Sequence, residues 1–164
     1  MIKWLVLAAV LLCGCSPAEP QNPYMPEAIQ AHDRCHLCGM VIQQHPGPKG
    51  ELLMSDGLVP KFCSTRDMFS FALQPENQRR IKAMYVHDAG RTDWEHPDDS
   101  AFIDASQAWY VYGSRRKGAM GPSLAPFSNR EAAEAFAASW GGKVLSYQEV
   151  NLSLLEGALM RSGR

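Results

Sequence analysis

Residues 35–40 read Cys-His-Leu-Cys-Gly-Met. Three kinds of chemistry begin with two thiols at C-x-x-C spacing: a structural zinc knuckle, a redox dithiol and a pocket for a soft metal ion. Structural zinc takes four ligands, most often two thiol pairs or one pair with histidines. Here Cys63 supplies a third sulfur, and His32, His36, His45, His87 or His96 would have to supply the fourth ligand. A thioredoxin-like dithiol sits at a helix start, where the helix dipole lowers the first thiol's pKa. Gly39 followed by Met40-Val41-Ile42 predicts instead a turn entering a strand,. The third chemistry joins thiolate to thioether, the donor set that selects Cu(I) over hard ions. Met40, two residues past Cys38, is placed to join it. Met54, Met68 and Met84 fall inside apolar strand or helix patterns and read as core,. Met120 lies in Arg-Lys-Gly-Ala-Met-Gly-Pro, with no periodicity to bury it, and is the candidate remote ligand.

The remaining cysteines belong to the N-terminus. Lys3 precedes an apolar run from Trp4 to Leu12, too short to span a bilayer and suited to the core of a signal peptide,. It ends in Leu12-Cys13-Gly14-Cys15, which resembles the lipobox of bacterial lipoproteins. Cleavage after residue 14 would leave Cys15 to carry the lipid and roughly 150 residues, one domain's worth,. Cys35, Cys38 and Cys63 then remain as an odd set of thiols in an exported chain, where paired cysteines are the rule,. That oddness suggests a metal or redox task; the plain alternative is a Cys35–Cys38 disulfide with Cys63 buried as a small apolar residue. The formal net charge of −1 and the short, separate basic clusters at residues 79–80 and 115–117 give no footprint for nucleic acid,.

Residues 15–31 are proline-rich and read as an extended tether, with the folded domain beginning at residue 32,. Strands are expected at 40–42, 51–55, 58–62, 81–88, 108–112 and 143–147, with Asp56-Gly57 as a hairpin turn,. Ser64 with Asp67 opens a helix that Pro75 stops, and Ser128 with Glu131 opens another that Gly141-Gly142 stops,. Ser146 with Glu149 starts a last helix reaching about Met160. The stretch Leu58–Asp67 parallels Leu124–Glu131: each is a strand running into a Ser-capped helix. The expected class is α+β: two related ββαβ modules, about 32–90 and 104–150, sharing one sheet, with a treble-clef-like C-x-x-C knuckle opening the first,.

Several motifs recur in a fixed order: C-H-L-C-G-M-x-I at 35–42, D-G-x-x-x-x-F-C-S-x-x-D-M-F at 56–69, Y-V-H-D at 85–88, D-A-S-x-A-W-Y-V at 104–111 and A-M-G-P-x-L-x-P-F at 119–127. Together with the lipobox they resemble the NosL family, accessory lipoproteins of nitrous oxide reductase. The resemblance implies a pair of ββαβ modules and a membrane-anchored, periplasm-facing Cu(I) chaperone, not an enzyme. It implies delivery of copper to the copper–sulfide centre of nitrous oxide reductase, with docking on the NosDFY transporter complex. Carried onto this chain, its metal motif falls on Cys35, Cys38 and Met40, and its second-module methionine on Met120. His36 is expected to be exposed, and Cys63 matches a family position that suits packing as well as ligation. The rivals are a zinc-knuckle interaction module and a periplasmic thiol oxidoreductase.

Overall fold

In both halves of the chain, a hairpin is followed by a helix and then by a strand that returns to the hairpin's far side. The structure, a computed structural model, describes residues 24–156. The first half has strands β1 (Gly50–Met54) and β2 (Lys61–Phe62), helix α1 (Thr65–Ala72), a short helix α2 (Pro75–Gln78) and strand β3 (Ile81–His87). The second half has β5 (Trp109–Tyr112), β6 (Leu124–Phe127), helix α3 (Arg130–Trp140) and β7 (Lys143–Ser146). Between them lies β4 (Phe102–Asp104). In each module the first strand is central and antiparallel to both neighbours, giving the orders β2-β1-β3 and β6-β5-β7.

The modules do not share a sheet as expected. Strand β4 occupies the open edge of β3, closing the first sheet at four strands in the order β2-β1-β3-β4 and leaving the second at three. The modules meet through α1. Its side chains Met68, Phe69 and Ala72 join Phe62 and Leu52 of the first sheet and Tyr110, Leu124 and Leu145 of the second in one buried cluster. Phe69 stands edge-on to Tyr110, with centroids 5.3 Å apart. Gly50 permits the approach on the other side, since a Cβ there would lie 2.6 Å from the Met68 sulfur. A second cluster (Trp94, Val111, Ala125, Phe127 and Ala133) lies beneath α3, and Phe136 packs against it.

Local differences from expectation have local causes. Residues 40–42 make no strand: Val41 forms a single bridge to Arg34, and Ile42–Gln44 turns into a 3₁₀ helix that buries Ile42 completely. Pro75 does not merely stop α1; its fixed φ and missing N–H suit the first turn of α2,. Helix α3 is capped by Asn129, whose side chain accepts from Ala132 N at 2.9 Å, and not by Ser128,. The Ser146–Glu149 pair forms, Ser146 N donating to the carboxylate at 2.8 Å, but it opens only the 3₁₀ turn Tyr147–Glu149. Helix resumes at 152–156, and the expected continuation to Met160 lies outside the described residues, as do the signal sequence and Cys15.

Of the expected tether, residues 24–30 carry no regular element, yet they are bound to the domain. Ile29 is buried in the main core. Its N–H donates to Asp99 Oδ2 at 2.7 Å, and Gln43 Nε2 donates to its carbonyl at 2.6 Å. Lys61 Nζ donates to Ala28 O at 2.8 Å, and Glu27 N donates to Glu51 Oε1 at 2.8 Å. The packed part of the chain therefore begins well before residue 32.

Candidate metal centre

The knuckle is a tight antiparallel turn. Cys35 N donates to Met40 O and Gly39 N donates to Cys35 O, each at 2.8 Å. The turn closes because Gly39 takes a positive φ of 78°, a conformation that costs glycine little,. His36 N donates to Lys61 O at 2.9 Å, fastening the knuckle to β2. Strand β2 then runs directly into Cys63, the residue before the α1 cap Ser64. Ser64 Oγ accepts from Asp67 N at 3.0 Å, which fixes Asp67 in the first helical turn,. The knuckle and the start of α1 thus face one another.

Between them, one sulfur from each of Cys35, Cys38 and Cys63 and a carboxylate oxygen of Asp67 all lie within 4.8 Å of one another. Cys38 Sγ is 3.5 Å from Cys63 Sγ. Asp67 Oδ2 is 3.6 Å from Cys63 Sγ and 3.7 Å from Cys35 Sγ, contacts that each require a proton on one of the two partners. Cys35, Cys63 and Asp67 are buried, whereas Cys38 is exposed.

Negative charge concentrates on Cys35. The Cys63 thiol donating to it, assisted by backbone N–H groups of the knuckle, holds it down to about 4 despite burial,. Cys63 is driven far upward for the converse reason: its proton is shared with Cys35, and it is buried. Burial raises Asp67, and the neighbouring Cys35 charge raises it further. Burial also raises Cys38. The buried cation Lys49 lies just behind, its ammonium donating to the carbonyls of Pro46 and Cys63 at 3.3 Å each and to that of His45. Desolvation lowers Lys49 to about 8, while its attraction to Cys63 and Cys35 works against that shift. Such a cluster can surrender protons to a cation and bind it through sulfur; a soft ion of low coordination number suits three thiols best.

The structure therefore brings Cys35 and Cys38 together, and adds Cys63 and Asp67 to the sequence-derived set. The signal for both was present as Cys-Ser-x-x-Asp, but a capping motif explains those residues locally without any ligand. Met40 is half-buried against the main core, directly after the knuckle. Met120 is 39% exposed. Its loop borders the first turn of α1, because a Cβ on Gly121 would lie 2.6 Å from the Arg66 guanidinium. Trp94 Nε1, donating to Lys117 O at 2.7 Å, fastens the same loop. His36 is exposed, as expected, its ring edge-on to Phe71.

This architecture and this donor set define an α+β domain with a thiol–carboxylate cluster able to hold a metal ion. The NosL family profile matches residues 26–155. The copper-binding lipoprotein NosL of Stutzerimonas stutzeri is 48% identical over 160 residues, spanning 96% of this chain and 84% of that protein. The protein of the same name from Achromobacter cycloclastes is 35% identical over 150 residues, spanning 89% and 78%. Among solved structures, the crystal structure of the copper chaperone NosL from Shewanella denitrificans superposes with a TM-score of 0.78 at 46% identity, over 80% of this chain and 98% of that one. The solution structure of apo-NosL from Achromobacter cycloclastes gives 0.50 at 34% identity, over 65% and 88%. The chain belongs to the NosL family. Its relatives carry the names of binding and carrier proteins, not of enzymes.

Proposed function

We propose that this chain is a membrane-anchored, periplasm-facing Cu(I) metallochaperone, held by a lipid on Cys15, that supplies copper for the copper–sulfide centre of nitrous oxide reductase through the NosDFY complex. The observation that carries the copper reading is the convergence of Cys35, Cys38 and Cys63 on one point beside Asp67. Cu(I) accepts two or three soft donors, so two or three drawn from these thiols and the thioethers of Met40 in the knuckle and Met120 in the second-module loop suffice to hold it. The exposed Cys38 gives an incoming ligand a place to attack, so the ion can pass by stepwise ligand exchange without being released. Lys49 offsets part of the negative charge that two thiolates and one Cu(I) leave behind. The lipoprotein names of the relatives support the anchor. Among the described residues no helix is long and apolar enough to cross a membrane.

One observation favours a second reading. Three sulfurs and a carboxylate complete the set of four ligands that zinc requires,. An anaerobic titration of the reduced protein against a chromophoric Cu(I) chelator, repeated with excess Zn(II), separates the two. One Cu(I) per chain, retained under zinc and lost in Cys35→Ser/Cys38→Ser, is expected. Stoichiometric Zn(II) that Cu(I) fails to displace would replace the copper reading with the zinc one.

A further inference from the structure

The C-x-x-C spacing invites a Cys35–Cys38 disulfide, but the geometry points to another partner. We propose that Cys38 and Cys63 are the redox-active pair of this chain, and that their disulfide closes the metal centre while Cys35 stays a thiol. The two sulfurs are 3.5 Å apart, and a disulfide needs about 2.05 Å, a shift within the swing of an exposed cysteine side chain,. Cys35 is placed otherwise, buried with its sulfur turned to Asp67 Oδ2.

Accessibility sets the order of events. Among the described residues Cys38 is the exposed thiol, so a low-molecular-weight disulfide meets it first,. The Cys38 thiolate attacks one sulfur of that disulfide, and the first small thiol leaves with the proton Cys38 lost. Cys63 then attacks the Cys38 sulfur, its proton passing to the Cys35 thiolate, the neighbouring sulfur its thiol already donates to. The second small thiolate departs and is protonated from solvent. Two protein thiols have been oxidised to one disulfide, and one small disulfide has been reduced to two thiols.

The consequence rests on the copper reading above. A centre with Cys38 and Cys63 joined has one thiol left and cannot hold Cu(I) as three can. A bound Cu(I) in turn occupies both sulfurs and shields them. The oxidised chain would be closed to copper and the loaded chain closed to oxidation.

The test uses the full chain in detergent, reduced, then exposed to glutathione disulfide with and without prior Cu(I) loading. Free thiols are alkylated, and tryptic peptides are mapped by mass spectrometry. Cleavage at Arg34, Lys49, Lys61 and Arg66 puts Cys35 and Cys38 in one peptide and Cys63 in another. Expected without copper is a cross-link between residues 35–49 and 62–66, with Cys35 alkylated. It should persist in Cys35→Ser and give way to a glutathione adduct on Cys38 in Cys63→Ser. A bond within the 35–49 peptide, or a glutathione adduct persisting on Cys38 of the unaltered chain, overturns the pairing. Copper loading should slow the cross-link at least tenfold. A cross-link formed equally fast with copper would keep the pairing and overturn the thiol ligation of Cu(I), so the two failures are distinct.

Discussion

The two modules share a scaffold and differ in what covers it. Strand register equates Gly50 and Glu51 with Trp109 and Tyr110, because Phe62 and Phe127 pair with Gly50 and Trp109 respectively. Counted from the caps Ser64 and Asn129, Cys63 corresponds to Ser128, Asp67 to Ala132, Met68 to Ala133 and Phe69 to Glu134. Six residues of α1 are buried but only Ala133 of α3, since α1 lies between two sheets while α3 covers one. A thiol and a carboxylate at a helix start therefore stand in a low-dielectric setting in one module, where small changes of environment move protons. In the other, the same positions hold the hydroxyl of exposed Ser128 and the methyl of Ala132, half-buried against the second cluster. Chemistry was placed where the repeat is buried twice.

That contrast can be broken in four ways. The largest effect is expected at the shared core: Phe69→Ala should cost about 4 kcal/mol in denaturant unfolding, while Glu134→Ala at the equivalent surface position stays within about 0.5 kcal/mol. A near-equal loss would mean the helices are not held differently. Next is Glu51, whose carboxyl burial raises from 4.5 to about 7, with Oε2 left without a partner. The folded chain keeps that proton where the unfolded chain gives it up. Stability contributed by the neutral acid is therefore present at low pH and lost as pH rises from about 4.5 through about 7,. Glu51→Gln should flatten that decline and leave the protein up to about 3 kcal/mol more stable than the unaltered chain at pH 8. An unchanged profile of ΔG against pH would show that Glu51 is not neutral in the fold.

Third, Cys63→Ser should weaken Cu(I) binding about a hundredfold, or about 2.7 kcal/mol, in chelator competition, with Ser128→Ala leaving it unchanged. Equal affinity in Cys63→Ser would return that residue to a packing role. The smallest effects concern the caps. Ser64→Ala and Asn129→Ala should each lower stability by about 1 kcal/mol, yet only Ser64→Ala should disturb copper binding, because only its partner Asp67 stands at the centre,. Loss of copper affinity in Asn129→Ala would mean that the modules are coupled more tightly than the α1 contact suggests.

Much of this was legible in the residues. Hydrophobic alternation and the Asp56-Gly57 turn locate the first hairpin, and the parallel between Leu58–Asp67 and Leu124–Glu131 exposes the repeat. What local pattern does not carry is long-range closure. Strand β4 is three residues long and is recognisable only by its pairing with β3. Asn129 outcompetes Ser128 as a cap by one residue, a choice made by where β6 ends. Cys35 and Cys38 declare themselves by spacing. Cys63 and Asp67 become site residues only because the His36–Lys61 bond folds the knuckle back over the α1 terminus.

The docked stretch that precedes the knuckle also sets a leash length. With the anchor on Cys15 as proposed, a domain starting at residue 32 would hang on 17 residues, reaching up to about 60 Å from the bilayer,. Because Ile29 is plugged into the core and held by Gln43 and Asp99, Ala28 by Lys61 and Tyr24 O by the Tyr85 hydroxyl, at most nine residues separate the lipid from the first held residue. At about 3.5 Å per residue the tether can extend no further than about 30 Å. A carrier anchored in that way would patrol a shallow layer over the membrane, and any acceptor of its cargo would have to present its receiving ligands within that layer.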